Sequence, residues 1–451
     1  TSVAGAYWRG DASRDQLQRI YGWLFATKEE LTAYEHMVEE SRKRDHRKLG
    51  SELELFTTSE TIGPGLILWL PRGNIIKEEL ERWAMDTERK WGYDRVTTPV
   101  ITKEDLFFTS EHLPHYKDSM FPPMVMDNQN YYIKPMNCPF HHTIYSVRPR
   151  SYRELPIRLA EYGTCHRYED SGALLGLMRV RGFSMNDAHI YCTEEQAVEE
   201  FVRVMELHEY YYKVLNITEY HMVLSLRNPA NEKYHGDEAM WQKAEALTRQ
   251  AMEVSGIEYE VEEDGAAFYG PKVDFQIKSS IGRLFTASTC QLDLFMPEKF
   301  NLTYIDRDGQ EKRPVCLHRS PLGTHERFIG FLIEHFAGAF PAWLAPEQVR
   351  ILPVIDKFSG YAREVLDSLR MQGVRAAVDD SGETLGKRIR NAEKWKVPYM
   401  LVLGEKEVEQ RTVAVRNYFT GQQETLAATT FLDRLKEEIR EKKIQNLTKK
   451  N

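Results

Sequence analysis

The sequence predicts an α+β fold, a largely antiparallel sheet flanked by helices, followed by a small α/β unit. Three observations predict it. Between residues 150 and 300, short alternating runs (RLAEYGTCHRYE, GFSMNDAHIYC, KVDFQIK, STCQLDLFM) are interrupted by helical runs (EEQAVEEFVRVMELHEYYYKVL, DEAMWQKAEALTRQAMEVS); strands of period two mixed with helices of period 3.6 suit an antiparallel sheet with helices against it. After FPAWLAPEQ the texture turns regular: VRILPV, GYAREVLDSLRMQG, VRAAVDD, LGKRIRNAEKWK and YMLVLG read as strand–helix–strand–helix–strand. The chain has 451 residues, enough for about three units at roughly 150 residues each.

In chain order, residues 12–48 are dense in charge, end in EESRKRDHRKLG, and predict a solvated helical hairpin. ELELFTTSETIGPGLILWLPRG is apolar and punctuated by Gly and Pro, as strands and turns are. NIIKEELERWAMDTERKWG carries Ile75, Ile76, Leu80, Trp83 and Ala84 at helical spacing and leads through Gly92 into an alternating strand, DRVTTPVI, ending at Pro99. FPAWLAPEQVRILPV reads as a hinge, and the basic tail KKIQNLTKKN as a frayed end. The expected units are a helical linker segment over 1–50, a main domain over 51–345 and the small α/β domain over 346–451.

Charge narrows the function. Lys and Arg number 60 against 68 Asp and Glu, a net −8, which excludes a globally basic nucleic-acid coat and leaves only local patches for such contact. No run approaches the ~20 apolar residues of a membrane span, and the first residues lack the pattern of a secretory signal. Five scattered cysteines, never in CxxC, argue against a disulfide framework and for a reducing, cytoplasmic setting.

Strand alternation locates the chemistry, because residues two apart share a face. GFSMNDAHIYC puts Phe183, Met185, Asp187 and His189 on one side; TCHRYE puts Cys165, Arg167 and Glu169 there; STCQLDLF puts Thr289, Gln291 and Asp293 there. Polar groups on one side of three strands predict the walls of a polar cleft. Cys165 and His166 are successive strand residues and point to opposite faces, so they are not expected to share a ligand.

Two motifs carry a family resemblance. GTCHRYEDSGALLGLMRVRGF, an Arg-x-Glu strand, a loop and a returning Arg-x-Arg-Gly-Phe, resembles motif 2 of class II aminoacyl-tRNA synthetases; LGTHERFIGFLIEHF resembles their motif 3; the helix and strand ending at Pro99 resemble the weaker motif 1. IKPMNCP, MRVRGF, NDAH and FYGPK are similar to threonyl-tRNA synthetases in particular, and the likeness covers nearly the whole chain, including a class IIa anticodon-binding domain at the C-terminus. The resemblance implies a ligase that activates L-threonine with ATP and Mg²⁺ and transfers it to threonine-specific tRNA.

It also implies roles. Arg167 would bridge the α-phosphate and the carboxylate, since charge building in phosphoryl chemistry needs fixed cations. Glu169 would accept from adenine, Phe183 and Arg327 would sandwich the base, and Arg179 would reach the γ-phosphate. Thr289, Gln291 and Thr324 would serve ribose or phosphate. Cys138, His189 and His318 would hold Zn²⁺, whose open positions take the amine and hydroxyl of threonine. Asp187 would accept the hydroxyl proton, with Tyr269 over the amine, Lys272 near the carboxylate or phosphate, and Met185 beside the pocket. Arg390, Glu407 and Arg416 would read anticodon bases. Motif 1 implies a homodimer in which the apolar face of its helix is buried by the mate.

The chain departs from many relatives at Met185-Asn186, where they have Gln-Asp, at Thr286, often Gln, and at Leu175, often His. Met185 is read first as a neutral exchange and second as a change of shape near the substrate or an inhibitor. The AYWRGD segment resembles the linker after the family's N-terminal and editing domains, so a catalytic core without editing, forming Ser-tRNA, is expected. The alternative is a synthetase-like paralogue that binds tRNA or RNA without aminoacylation; Arg167, Arg327 and the three metal ligands stand against it. Seryl or prolyl activation on the same fold is disfavoured by the metal set.

Overall fold

The structure, a computed structural model, describes residues 2–7, 13, 15–278 and 284–445. The N-terminal segment is not a helical hairpin. Ser2–Tyr7 pairs antiparallel with Gln16–Tyr21, and only then do helices Lys28–Arg44 and His46–Glu52 follow. Charge density around it hides the second strand, whose Leu17 and Ile20 stay exposed, so no buried face marks it. Thr27 starts the long helix with a capping box shared with Glu30, and Asp45 restarts the second by accepting from the Arg47 N–H at 2.8 Å. The expected boundary at residue 50 falls inside His46–Glu52, whose His46 bonds Glu334 at 2.8 Å and accepts from the Leu177 N–H at 3.1 Å. Residues 446–451 of the expected frayed end lie outside the described residues.

The helix Pro71–Lys90 forms as its spacing predicts, with Pro at its first position and Ile76, Leu80, Trp83 and Ala84 buried. That burial lies within the protomer's own core, which corrects the expectation that a mate covers the apolar helix face. The following strand is also shorter than expected. Only Asp94–Arg95 joins the sheet, in parallel with Leu159–Ala160. Beyond it Thr98 abandons the ladder: its N–H and hydroxyl donate to the Glu161 carboxylate at 3.1 and 2.8 Å.

The main sheet has eight strands, in the order Glu260–Glu263, Tyr220–Leu226, Lys272–Lys278, Leu284–Asp293, Val315–Ser320, Gly182–Cys192, Ile157–His166 and Asp94–Arg95. It is antiparallel except at its two ends. Helices Glu194–Val214 and Glu238–Ser255 supply Phe201, Val204, Met205, Ala251 and Met252 to its core, burial worth roughly 25 cal/mol per Å² of apolar surface.

One buried ion pair ties this core together. Arg319 Nη1 donates to Glu88 Oε1 at 2.9 Å with both side chains fully buried, the Asn186 amide donates to the same oxygen at 2.8 Å, and the guanidinium lies 4.2 Å from the Tyr93 ring centre. Removing one partner strands the other charge. Glu88→Ala is expected to lower unfolding free energy by about 3–5 kcal/mol, read from denaturant midpoints; a loss below 1 kcal/mol would contradict it.

The C-terminal unit has a five-stranded sheet in the order Ala376–Val378, Val349–Pro353, Tyr399–Leu403, Thr412–Asn417, Gln423–Ala427, parallel across its first three strands. The segment FPAWLAPEQ is not a loose hinge. Ala342, Trp343, Leu344 and Ala345 are buried, and Arg375 donates to Trp343 O at 2.8 Å, Ala345 O at 2.9 Å and Glu79 at 2.6 Å, fastening this unit to helix Pro71–Lys90. Among the described residues no helix is long and apolar enough to cross a membrane.

Candidate active site and metal centre

The sheet's register builds the site. His189 lies opposite His318, His318 opposite Gln291, and Gln291 opposite Lys272, so four neighbouring strands contribute one cross-strand row. Paired residues share a face, and this face opens into a cavity of about 490 Å³. Its walls include Cys138, Arg167, Met185, Asp187, Tyr269, Lys272, Thr289, Gln291, His318, Thr324 and Arg327, eleven residues singled out from sequence.

At one end, Cys138 at the start of helix Cys138–Tyr145 meets the histidine pair: its Sγ and one nitrogen of each ring lie within 4.8 Å of one another. The outer nitrogens are engaged. His189 Nδ1 faces His141 Nδ1 at 2.8 Å, and His318 Nε2 faces Asp293 Oδ2 at 2.7 Å. That leaves His189 Nε2 and His318 Nδ1 buried with no hydrogen-bond partner among the described residues, a costly arrangement for an imidazole unless something else takes the lone pairs. Burial, then the neighbouring His318 and His141, pushes His189 well below its ordinary range, so its ring is neutral. Burial, with Asp187 and Asp293 nearby, pushes the Cys138 thiol up; a dication would reverse that direction. Two imidazoles and one sulfur, each imidazole held from behind, fit Zn²⁺ with an open position. A further group, His142, Asp293 and His318, overlaps this one; there His318 and Asp293 already bond each other, as an outer layer of the same centre.

Behind His189 the support continues. His141 Nε2 stands 3.4 Å from Glu161, whose carboxyl burial would raise, but the His141 hydrogen bond and Lys134 charge hold it at about 2. Asp187, buried beside the cluster, accepts from Asn137 Nδ2 at 3.1 Å, and burial raises its pKa above the usual carboxylate range. Tyr269 donates its hydroxyl to Gln291, and its ring lies 5.1 Å from that of His318. Lys272 pairs with Asp274 at 2.7 Å. Met185 bridges to Thr324 and packs against the Cys165, Val180 and Phe183 cluster.

The other end of the cavity is cationic. Arg167 and Arg327 face each other's field, and burial followed by the Arg167 charge lowers Arg327. Arg327 Nε donates to Met178 O at 3.1 Å, and Arg167 Nε to Pro135 O at 3.3 Å. Phe183 is buried, and the Arg167 guanidinium lies 5.2 Å from its ring centre. Glu169 and Arg179 pair with each other at 2.8 Å outside the cavity walls. Cys165 donates to Asn137 while His166 meets Phe121, on the opposite faces that alternation requires. Arg390, Glu407 and Arg416 lie on helix Leu385–Lys394, helix Glu405–Gln410 and strand Thr412–Asn417; Glu407 accepts from the Gly404 N–H at 2.9 Å.

Sequence reasoning did not single out Asn137 or His141, and it put Asp293 on the cleft wall without a role. His141 stands one helical turn from Cys138 and Asp293 shares a strand face with Gln291, signals that were present.

Residues 123–336 match the tRNA synthetase class II core domain (G, H, P, S and T), and residues 348–438 an anticodon binding domain. The chain is 50% identical over 444 residues to the threonine–tRNA ligase of Geobacillus kaustophilus (strain HTA426), covering 98% of this chain and 68% of that protein. The chain belongs to the threonine–tRNA ligases. The Staphylococcus aureus (strain JH9) ligase is 51% identical over 445 residues, covering 98% of this chain and 69% of the relative. A solved structure described as the RNA binding domain of threonyl-tRNA synthetase from Cryptosporidium parvum Iowa II superposes with TM-score 0.83 at 35% identity, covering 90% of this chain and 99% of that one. The enzyme therefore attaches threonine to tRNA on a class II synthetase fold, with ATP and Mg²⁺ as that class requires, and the non-catalysing paralogue is set aside.

Proposed function

We propose that this ligase selects threonine through a Zn²⁺ held by Cys138, His189 and His318. The carrying observation is the pair of buried imidazole nitrogens without partners, converging with a thiol while their outer nitrogens are held by His141 and Asp293. The ion supplies positions for the amine and hydroxyl of the substrate when bound. The chain's own residues do the rest. Asp187 receives the substrate hydroxyl, kept in place by Asn137. Tyr269, anchored on Gln291, closes the pocket over the amine. Arg167, with Lys272, orients the carboxylate against the α-phosphate, and Arg327 gathers the phosphates and adenine with Phe183, Glu169, Arg179, Thr289, Gln291 and Thr324 around them. Met185 sets the pocket's shape beside Thr324.

The same reading extends to the rest of the molecule. The catalytic unit runs to residue 345, the tRNA-reading unit spans 346–451 with Arg390, Glu407 and Arg416 as base-reading side chains, and the enzyme works in the cytoplasm. It pairs as a homodimer through a different surface from the helix face. The three-stranded sheet of Ile101–Lys103, Met124–Met126 and Gln129–Ile133 leaves Ile101, Met124, Val125 and Met126 exposed, an apolar patch suited to a two-fold mate. Sedimentation should give a dimer at micromolar protein; a monomer there contradicts it.

Amino-acid-dependent ATP–pyrophosphate exchange, with zinc measured on the same sample, tests the selection. A site built to engage a hydroxyl rejects valine by about 10⁴-fold or more, while a missing methyl discriminates against serine by only about 10- to 200-fold. Valine activated as well as serine, or full activity in a zinc-free sample, would overturn the proposal.

A further inference from the structure

A second set of donors meets where the short helix His112–Tyr116 approaches the loop ahead of helix Glu238–Ser255. We propose that Glu111, His115 and His235 form a second metal site, for a divalent transition ion such as Zn²⁺, that clamps these two segments together at the entrance to the cleft. One donor atom from each lies within 4.8 Å of the others, and none of the three lines the catalytic cavity.

The geometry is that of ligands poised around a common point. Glu111 Oε2 is 3.9 Å from His115 Nε2 and 3.7 Å from His235 Nδ1. Both separations are too long for hydrogen bonds, so one carboxylate oxygen faces two imidazole nitrogens without bonding either. Ligands about 2.0–2.2 Å from a tetrahedral ion stand roughly 3.2–3.6 Å apart, so the two carboxylate–imidazole separations need to close by only a few tenths of an ångström. The two rings are already 4.2 Å apart at their centres.

The supports are fixed independently of any ion. His235 donates its backbone N–H to Phe268 O at 2.9 Å and accepts at its own carbonyl from Trp241 Nε1 at 2.7 Å. Lys299 pairs with the other Glu111 oxygen, Oε1, which turns Oε2 toward the histidines. Its ammonium is also the competing cation of the site. Two imidazoles with one carboxylate favour zinc, cobalt, nickel or copper over the magnesium that accompanies ATP.

The placement gives the site a consequence. The helix that carries His115 ends at Tyr116, and the backbone partner of His235 is Phe268; both Tyr116 and Phe268 line the catalytic cavity. An ion joining residues 120 positions apart would fix those two walls against each other.

Equilibrium dialysis of the zinc-loaded enzyme against buffered Zn²⁺ tests it. Wild type should bind one equivalent more than the double variant His115→Asn/His235→Asn, with threonine activation at low free zinc unchanged and circular dichroism confirming the fold. Lys299→Met should bind the extra equivalent at lower free zinc than wild type, because the competing ammonium is gone. Equal stoichiometry in wild type and the double variant, or weaker binding in Lys299→Met, would overturn the proposal. The test is separable from the catalytic site: an ion lost in Cys138→Ala but kept in the double variant belongs to the first centre, and the reverse pattern to the second.

Discussion

His318→Ala is expected to strip the zinc from the active site and, with it, threonine activation. His318 supplies one inward nitrogen, lies opposite His189 on the next strand, and receives Asp293 on its outer nitrogen. Changing only an outer partner of a metal ligand typically costs about 10- to 100-fold in metal affinity or activity, so loss of the ligand itself should exceed about 10²-fold in threonine-dependent exchange. Bound zinc, assayed after dialysis against a weak chelator, should fall from about one equivalent at this centre towards zero. Asp293→Asn should produce the milder loss within that 10- to 100-fold range, because the amide keeps the shape but can present a donor where an acceptor is needed. Retention of zinc by His318→Ala, with activity intact, would remove the site from the mechanism.

The second large effect is expected at Arg167. Its guanidinium lines the cavity and is oriented by Pro135 O and by the faces of Phe183 and Tyr116. A planar fork can grip carboxylate and phosphate together, whereas an ammonium meets them as a point charge. Arg167→Lys should therefore lower the rate of adenylate formation by about 10²- to 10³-fold, the scale on which one preorganised transition-state donor is lost. Single-turnover formation of the adenylate is the measurement. The charge is preserved in this variant, so an unchanged rate would show that geometry at Arg167 does not matter to the step. Zinc content should be unaffected, which separates this loss from that of His318→Ala.

What could be read in the sequence depended on whether a residue's partner was near in the chain or across the fold. Gly182–Cys192 and Lys272–Lys278 coincide with runs whose side-chain character alternates, although burial does not: residues 186–192 are buried on both faces. Alternation alone places Asp187 and His189 on one side of their strand. The convergence of Cys138 with His189 and His318 was not legible from spacing and came through motif likeness, since only the register of two strands and a helix N-terminus brings them together. Val96–Pro99 alternates like a strand but is drawn off by Thr98 bonding Glu161, a partner 63 residues away. The strand Gln16–Tyr21 was lost for the opposite reason: it pairs, but its apolar side chains remain in solvent, so its pattern resembles a charged helix. The helix Pro71–Lys90 was found by its stripe, while which protein surface that stripe meets was beyond the reach of periodicity.

The cross-strand row His189–His318–Gln291–Lys272 has a bearing on how this gene can vary. Every member is addressed by counting residues along antiparallel strands, and side chains change face at each step. A single codon inserted ahead of His318 in Val315–Ser320 would turn His318 away from His189 and carry Arg319 off Glu88, erasing amino-acid choice and loosening the core together. Length changes should therefore collect where no row is being counted, such as the turn between Tyr304–Ile305 and Glu311–Lys312. Within the four strands, inheritance should tolerate exchanges of residue and purge shifts of reading position, so that the genetic code's own enforcer is guarded by arithmetic on its β-sheet.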